Sequence, residues 1–237
     1  CRAVGLCGRR LLVFGGASLG EQNSCAGEEF ALDTWSWRMV TGFTRWSAGQ
    51  FSPSRPHFCA ATAMVAGRIY FVGGASRGRQ STIHPMHPHG PMKPTTVPVN
   101  TVDCFDTSSG LWHDVPSMTD RRLGCGLVAV NGRLFAMGGH SQLPLATVET
   151  CNLSPSEAPS WQRLRKMIHA RFLFVSARIG GHVYVCGGCA HRSYGSGVLS
   201  SAERFSLDKQ LWEVLPPMPQ RRFSAAHLCV QGCLYVC

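Results

Sequence analysis

The sequence predicts an all-β chain of four-stranded antiparallel sheets repeated along its length, and three observations carry that expectation. Short apolar runs end in paired glycines four times: LLVF before Gly15 and Gly16, IYFV before Gly73 and Gly74, LFAM before Gly138 and Gly139, and VYVC before Gly187 and Gly188. Trp112, Trp161 and Trp212 are each followed six residues later by a methionine (Met118, Met167, Met218) and ten later by an arginine (Arg122, Arg171, Arg222). Asn131-Gly132, a two-residue hairpin signal, joins one apolar run to the next, and Gly67, Gly181 and Gly232 occupy the matching place. The first glycines of successive pairs lie 58, 65 and 49 residues apart. A period near this length marks a unit of sheet that cannot bury its own faces and must stack on its neighbours.

Each unit reads as four strands in order. The first shows period-two apolar alternation, as at Leu127 and Ala129, and runs into the tight turn. The second is the apolar run that closes on the glycine pair. The third surrounds an acidic residue: Glu28, Asp103 and Glu203 precede a tryptophan by nine residues, and Glu149 by twelve. The fourth begins at Trp37, Trp112, Trp161 or Trp212, which are read as packing residues between units. A four-stranded meander repeated in this way predicts a β-propeller, whose radial packing covers both faces of each sheet. The expected divisions are 1–40 for blade 1, 41–55 for a long connection, 56–118 for blade 2 with a long loop at 75–101, 119–167 for blade 3, 168–218 for blade 4, and 219–237 for the first hairpin of blade 5. The run CLYVC reaches Cys237 where the next glycine pair falls due, so about four and a half repeats are expected, as a segment of a longer propeller whose open outer faces favour aggregation.

Two stretches, SMTDRRLGCGLVAVNGRLFAMGG and PPMPQRRFSAAHLCVQGCLYVC, carry almost without gaps the pattern of the kelch repeat. The chain resembles that family over essentially its whole length. Its poorest unit is the first, with Leu12 where Tyr70, Phe135, Tyr184 and Tyr235 stand. The resemblance implies a kelch-type β-propeller segment acting as a non-catalytic protein-protein interaction module. It also implies roles such as substrate-recognition adaptor of a ubiquitin ligase, in which a separate dimerising domain precedes the propeller, or attachment to cytoskeleton. The alternative is the recognition segment of a kelch-type enzyme whose catalytic residues lie outside this chain.

Propeller geometry sorts the loops. In a meander the second-to-third loops and the blade-to-blade connections share one end, and they hold nearly all the length variation: 75–101, 189–200 and the connection from Val40 to Arg55. Long loops on a rigid scaffold are where binding resides, so that face is the expected binding surface. Arg55, Arg121, Arg122, Arg171, Arg221 and Arg222 all precede a first strand, and closure would gather them on one rim as a site for another protein's acidic or phosphorylated segment. A competing reading pairs one arginine per blade with a strand carboxylate such as Glu203, leaving the second of each doublet free in blades 3 and 5. Twenty arginines against three lysines give most of the net charge of +10. Nucleic acid is a weaker partner, because no aromatic stacking motif accompanies the charge.

The remaining motifs point away from chemistry. There is no nucleophile motif, no pair of carboxylates in a loop and no phosphate-binding glycine run, so no catalytic residue and no cofactor is expected. Cys186 and Cys189 enclose the repeat's own glycines, and the other cysteines do not pair by spacing. A reduced, cytoplasmic setting follows, with the sequon Asn152-Leu153-Ser154 standing against it. His84, His87 and His89 lie close together, but the prolines among them favour an extended recognition loop over a metal site. No apolar run approaches the roughly eighteen residues of a membrane span.

Overall fold

β-Branched and aromatic residues between glycine-containing turns form strands throughout the computed structural model, which describes residues 3–7, 10–14, 27–40, 59–77, 96–191 and 197–237. Gly15, Gly16, Arg55, the connection 41–55 and the loop bearing His84, His87 and His89 lie outside the described residues. The first sheet runs β1 (Ala3–Cys7), β2 (Arg10–Phe14), β3 (Gly27–Ala31), β4 (Ser36–Met39). The second begins with β5 (Ala61–Val65) and β6 (Arg68–Val72), is interrupted by a small ribbon of β7 (Ala75–Arg77) and β8 (Thr96–Pro98), and resumes with β9 (Val102–Asp106) and β10 (Leu111–Val115). The third comprises β11 (Gly126–Val130), β12 (Arg133–Met137), β13 (Val148–Asn152) and β14 (Trp161–Leu164). The fourth comprises β15 (Val175–Ile179), β16 (His182–Cys186), β17 (Ala202–Ser206) and β18 (Leu211–Leu215), and a hairpin of β19 (His227–Val230) and β20 (Cys233–Val236) follows. All pairings are antiparallel, and no helix occurs among the described residues. The chain is an all-β propeller segment of four-stranded blades.

The turn chemistry sets the register. Asn131 and Gly132 have φ of +48° and +72°, as the I′ turn requires, and Val130 pairs with Arg133 across them. Ala66-Gly67 and Gln231-Gly232 make the same turn with φ of +47° and +75°, and +49° and +78°. From this start β12 alternates its side chains between two neighbours. Leu134 and Ala136 pack with Tyr70, Val72, Cys104 and Met118 of the second blade, while Phe135 and Met137 pack with Val183, Val185 and Phe205 of the fourth. Apolar residues on both faces explain why the second strands read as continuous hydrophobic runs rather than alternating ones. Leu12, Ile69, Phe71 and Phe105 make the corresponding layer between the first two blades. The core therefore lies between sheets, with each buried aliphatic or aromatic side chain contributing about 1.5–3 kcal/mol. Cys104, Cys151 and Cys229 lie in strands, whereas Cys59 and Cys125 fall just ahead of β5 and β11.

The glycine pairs close these junctions. Gly138 and Gly139 have φ of +55° and +97°, and Gly187 and Gly188 of +69° and +90°. A Cβ on Gly138 would stand 2.5 Å from the carbonyl oxygen of Arg171, which belongs to the next blade. That same carbonyl accepts the N–H of Gly139 at 2.9 Å. The pattern repeats from Gly74 to Arg122 and from Gly188 to Arg222, at 2.7 and 2.8 Å. The pair thus admits the backbone of the following connection.

Candidate functional site

Each connection between blades is laced to the second-to-third loop of the blade it leaves, so both occupy one end of the array. Met118 and Arg122 donate their N–H groups to Asn100 and Val99, Met167 and Arg171 to Ala146 and Leu145, and Met218 and Arg222 to Ser200 and Leu199. The loop face is therefore a surface of hydrogen-bonded backbone, and the side chains it exposes decide what it can bind.

Arg122 and Arg171, two of the arginines expected on a partner-binding rim, are not exposed on it. Both side chains are fully buried. Arg122 donates from Nη1 to the carbonyls of Gly138 and Thr147 at 2.7 and 2.8 Å. Its Nη2 donates to Asp120 Oδ2, Thr147 Oγ1 and Glu149 Oε1 at 3.1, 3.0 and 2.8 Å. Arg171 repeats this arrangement with Gly187, Ser201 and Glu203, the last at 2.6 Å. The reason is steric and electrostatic together: the connection enters between two sheets, and a guanidinium there must find carboxylate and carbonyl partners. The two carboxylates are satisfied further by backbone. Glu149 accepts the N–H groups of Thr119 and Asp120, and Glu203 those of Ile168 and His169.

The doublets separate as their positions dictate. Arg121 and Arg221 are exposed, and Arg222 is half-buried, donating to Gln220 Oε1 at 3.2 Å. The register also clarifies blade 2. Two residues beyond each arginine the chain takes a positive φ, at Gly124 (+61°), Leu173 (+53°) and Ser224 (+50°), and Cys59 (+56°) is their counterpart. The N–H of Ser224 donates to Leu173, that of Leu173 to Gly124, and that of Gly124 to Cys59, at 2.8, 2.8 and 3.2 Å. The repeat position two residues before Cys59 is occupied by His57, so Arg55 stands two places ahead of it. Sixteen residues separate Arg122 from Gly138 and Arg171 from Gly187, and the same count back from Gly73 gives His57, a signal present in the sequence.

The tryptophans fix the connections from outside. Trp161 Nε1 donates to the carbonyl of Pro116, and Trp212 Nε1 to that of Arg165, at 2.8 and 2.9 Å, each reaching the connection that enters its own blade. Trp112 packs on Phe71 and Phe105, with ring centroids 5.5 and 5.2 Å away. Trp37 is 55% exposed and contacts Phe30. Burial raises the thiols of Cys59, Cys104, Cys151, Cys186 and Cys189, and pushes Cys125 up to about 11 against the opposing charge of Arg122.

These features together define a kelch-type β-propeller segment. The family model described as the kelch motif matches residues 170–219, within the fourth blade and its connections. The chain is 31% identical over 150 residues to Kelch domain-containing protein 8B of Homo sapiens, covering 59% of this chain and 42% of that protein. It is 24% identical over 186 residues to Kelch-like protein 41a of Danio rerio, covering 78% and 29%, and 27% identical over 146 residues to an F-box/kelch-repeat protein of Arabidopsis thaliana, covering 56% and 37%. The chain spans less than half the length of these relatives. It carries the kelch motif and is similar to kelch-repeat proteins, a family whose members typically bind other proteins. No helix among the described residues is long and apolar enough to cross a membrane.

Proposed function

We infer that the chain is a non-catalytic recognition module that binds another protein through the face made by the second-to-third loops and the inter-blade connections. The observation that carries this reading is the division of labour among the arginines. Arg122 and Arg171 are used up inside the blades, whereas Arg121 and Arg221, next to repeat arginines in sequence, are exposed on the loop face. An exposed guanidinium on a preorganised backbone suits carboxylate or phosphate groups, so the partner is an acidic or phosphorylated segment. An F-box/kelch-repeat protein among the relatives supports a place as substrate-recognition arm of a ubiquitin ligase.

Photo-crosslinking from single positions tests the face. Benzoylphenylalanine at Gln142 or Thr119, on the loop face, is expected to capture a discrete partner, whereas the same group at Ser108 or Asn131, on the opposite turns, is not. Capture from the turns alone would refute the assignment. The ligase role predicts that the captured partner gains ubiquitin when the whole protein is overproduced, and unchanged ubiquitin would dismiss it.

A further inference from the structure

The three described connections between blades share their backbone bonds to the loop of the blade they leave and differ in side chains. Positions 116, 117 and 119 are Pro116, Ser117 and Thr119, and the matching positions after the fourth blade are Pro216, Pro217 and Pro219. Between the third and fourth blades they are Arg165, Lys166 and Ile168. At 165 and 166 nothing in the fold requires this change, since the tryptophan bond is made to the backbone carbonyl alike at Pro116 and Arg165; at 119 and 168 the N–H bond to a strand carboxylate excludes proline but leaves the side chain open. The strip is held rigidly: Trp212 fixes the Arg165 carbonyl, Met167 N–H bonds Ala146, and the N–H groups of Ile168 and His169 bond Glu203 at 2.7 and 3.0 Å. Met167 is buried and His169 turns its Nδ1 to Glu203 Oε1 at 2.9 Å, while the other side chains face outward. Arg165, Lys166 and His169 are exposed, and Ile168 is 49% exposed. The adjoining loop raises Leu143 to 73% exposure on the same face.

Charge on this face is one-sided. Among the described residues of the connections and second-to-third loops the one carboxylate is Asp120, and it is occupied by Arg122 and by Arg163 at 2.7 Å. Of the exposed acids, Asp33, Glu157 and Asp208 lie on the third-to-fourth turns at the opposite end, and Glu28 and Asp114 lie within β3 and β10. No described carboxylate forms an ion pair with Arg165 or Lys166. Two unpaired cations beside two exposed aliphatic side chains, on a backbone already ordered, form a surface whose complement is both acidic and apolar.

We propose that the strip Arg165 to His169, with Leu143 on the loop laced to it, docks an acidic protein segment carrying an apolar side chain. This rests on the loop-face reading above and names the site and the partner's chemistry within it. The probe is a fluorescein-labelled Glu-Glu-Leu-Glu-Glu-Leu-Glu-Glu peptide, followed by anisotropy with the full chain. The expected result is binding that weakens about tenfold in R165E/K166E and with added salt, and weakens when serine replaces the leucines or Ile168. Arg133→Glu, an exposed site at the opposite end, leaves it unchanged. The milder R165A/K166A, checked for native circular dichroism, guards against a folding defect.

Undiminished binding by R165E/K166E overturns the proposal. If R121E/R221E then loses the peptide, the loop face survives as the binding surface and only the strip falls; if R133E loses it, both fall. Preferential binding of labelled oligothymidylate would assign the strip to nucleic acid instead. Failure of the chain to bind the peptide at all rejects the strip, and the crosslinking experiment decides the module separately.

Discussion

Arg121 and Arg122 are chemically identical neighbours, and the structure predicts opposite consequences for replacing them. In Arg122→Met, Glu149 keeps two backbone donors but loses its cation while its own side chain stays fully buried. Breaking such a pair from one side costs about 3–5 kcal/mol. The carbonyls of Gly138 and Thr147 lose their guanidinium donor at the same time, which places the loss toward the upper part of that range. For a chain of this size each kcal/mol moves the midpoint by about 2–4 °C, so a fall of about 6–20 °C is expected. Arg121→Met removes an exposed side chain and should stay within about 0.5 kcal/mol. The double variant Arg122→Met/Glu149→Leu removes both charges yet strands the amides of Thr119 and Asp120, so it should recover only part of the loss. Tryptophan fluorescence in guanidinium and thermal circular dichroism measure all three. A loss under about 1 kcal/mol for Arg122→Met, or equal effects at the two positions, would refute the argument.

Further outcomes follow from the same geometry. Gly138→Ala meets the Arg171 carbonyl at 2.5 Å with φ at +55° and should cost about 3 kcal/mol or more, whereas Gly132→Ala, with φ +72° and open space, should cost about 1; similar melts for both would be inconsistent with the close approach. Alkylation of the native chain near pH 8, read by peptide mass spectrometry, should mark exposed Cys229, Cys233 and Cys237 ahead of Cys104, Cys125 and Cys151, and early modification of Cys125 would contradict its burial. Hydrogen bonds from Ser108, then Arg68, hold the Asp106 carboxyl well below the usual range. Its contribution is therefore complete above about pH 4 and is lost as pH falls through the depressed value, so the stability difference between wild type and Asp106→Asn should shrink in acid; a gap that stays constant on acidification would dismiss the assignment.

The fold was legible because its signals are local and repeated. Paired glycines, two-residue turns and the tryptophan offsets each report a backbone requirement, and their joint period reports stacking. The site was less legible because it depends on which of two like residues points inward. Six arginines ahead of first strands looked alike in sequence, and the spacing of sixteen to the glycine pair is what separates Arg122 and Arg171 from Arg121 and Arg55. Arg222 keeps the offset of ten from its tryptophan and yet is half-buried, bonded to Gln220. Two features had no sequence signal. The positive φ at Leu173 falls on a residue type that avoids it, and the shared use of Asp120 by Arg122 and Arg163 depends on side chains 43 residues apart. Glu149 lies twelve rather than nine residues before its tryptophan because the turn from β13 to β14 is longer, while the strand register places it as Glu203 is placed.

The arginine also explains why binding must reside elsewhere. Its carbonyl bonds the glycine pair of the preceding blade, its N–H bonds that blade's loop, and its guanidinium bonds the glycine carbonyl and acidic strand of its own blade. One residue thus joins two sheets through backbone and side chain together, so adjacent blades gain stability from each other as nearest neighbours do in a linear array. A residue so committed has little left to offer a ligand. Any substitution that improved its contact with a partner would open the junction. The freedom to vary chemistry is then confined to positions where the repeat fixes only the backbone, and 165, 166 and 168 are such positions. Their departure from the proline-containing pattern of the other connections is where selection for a partner can act without cost to the fold.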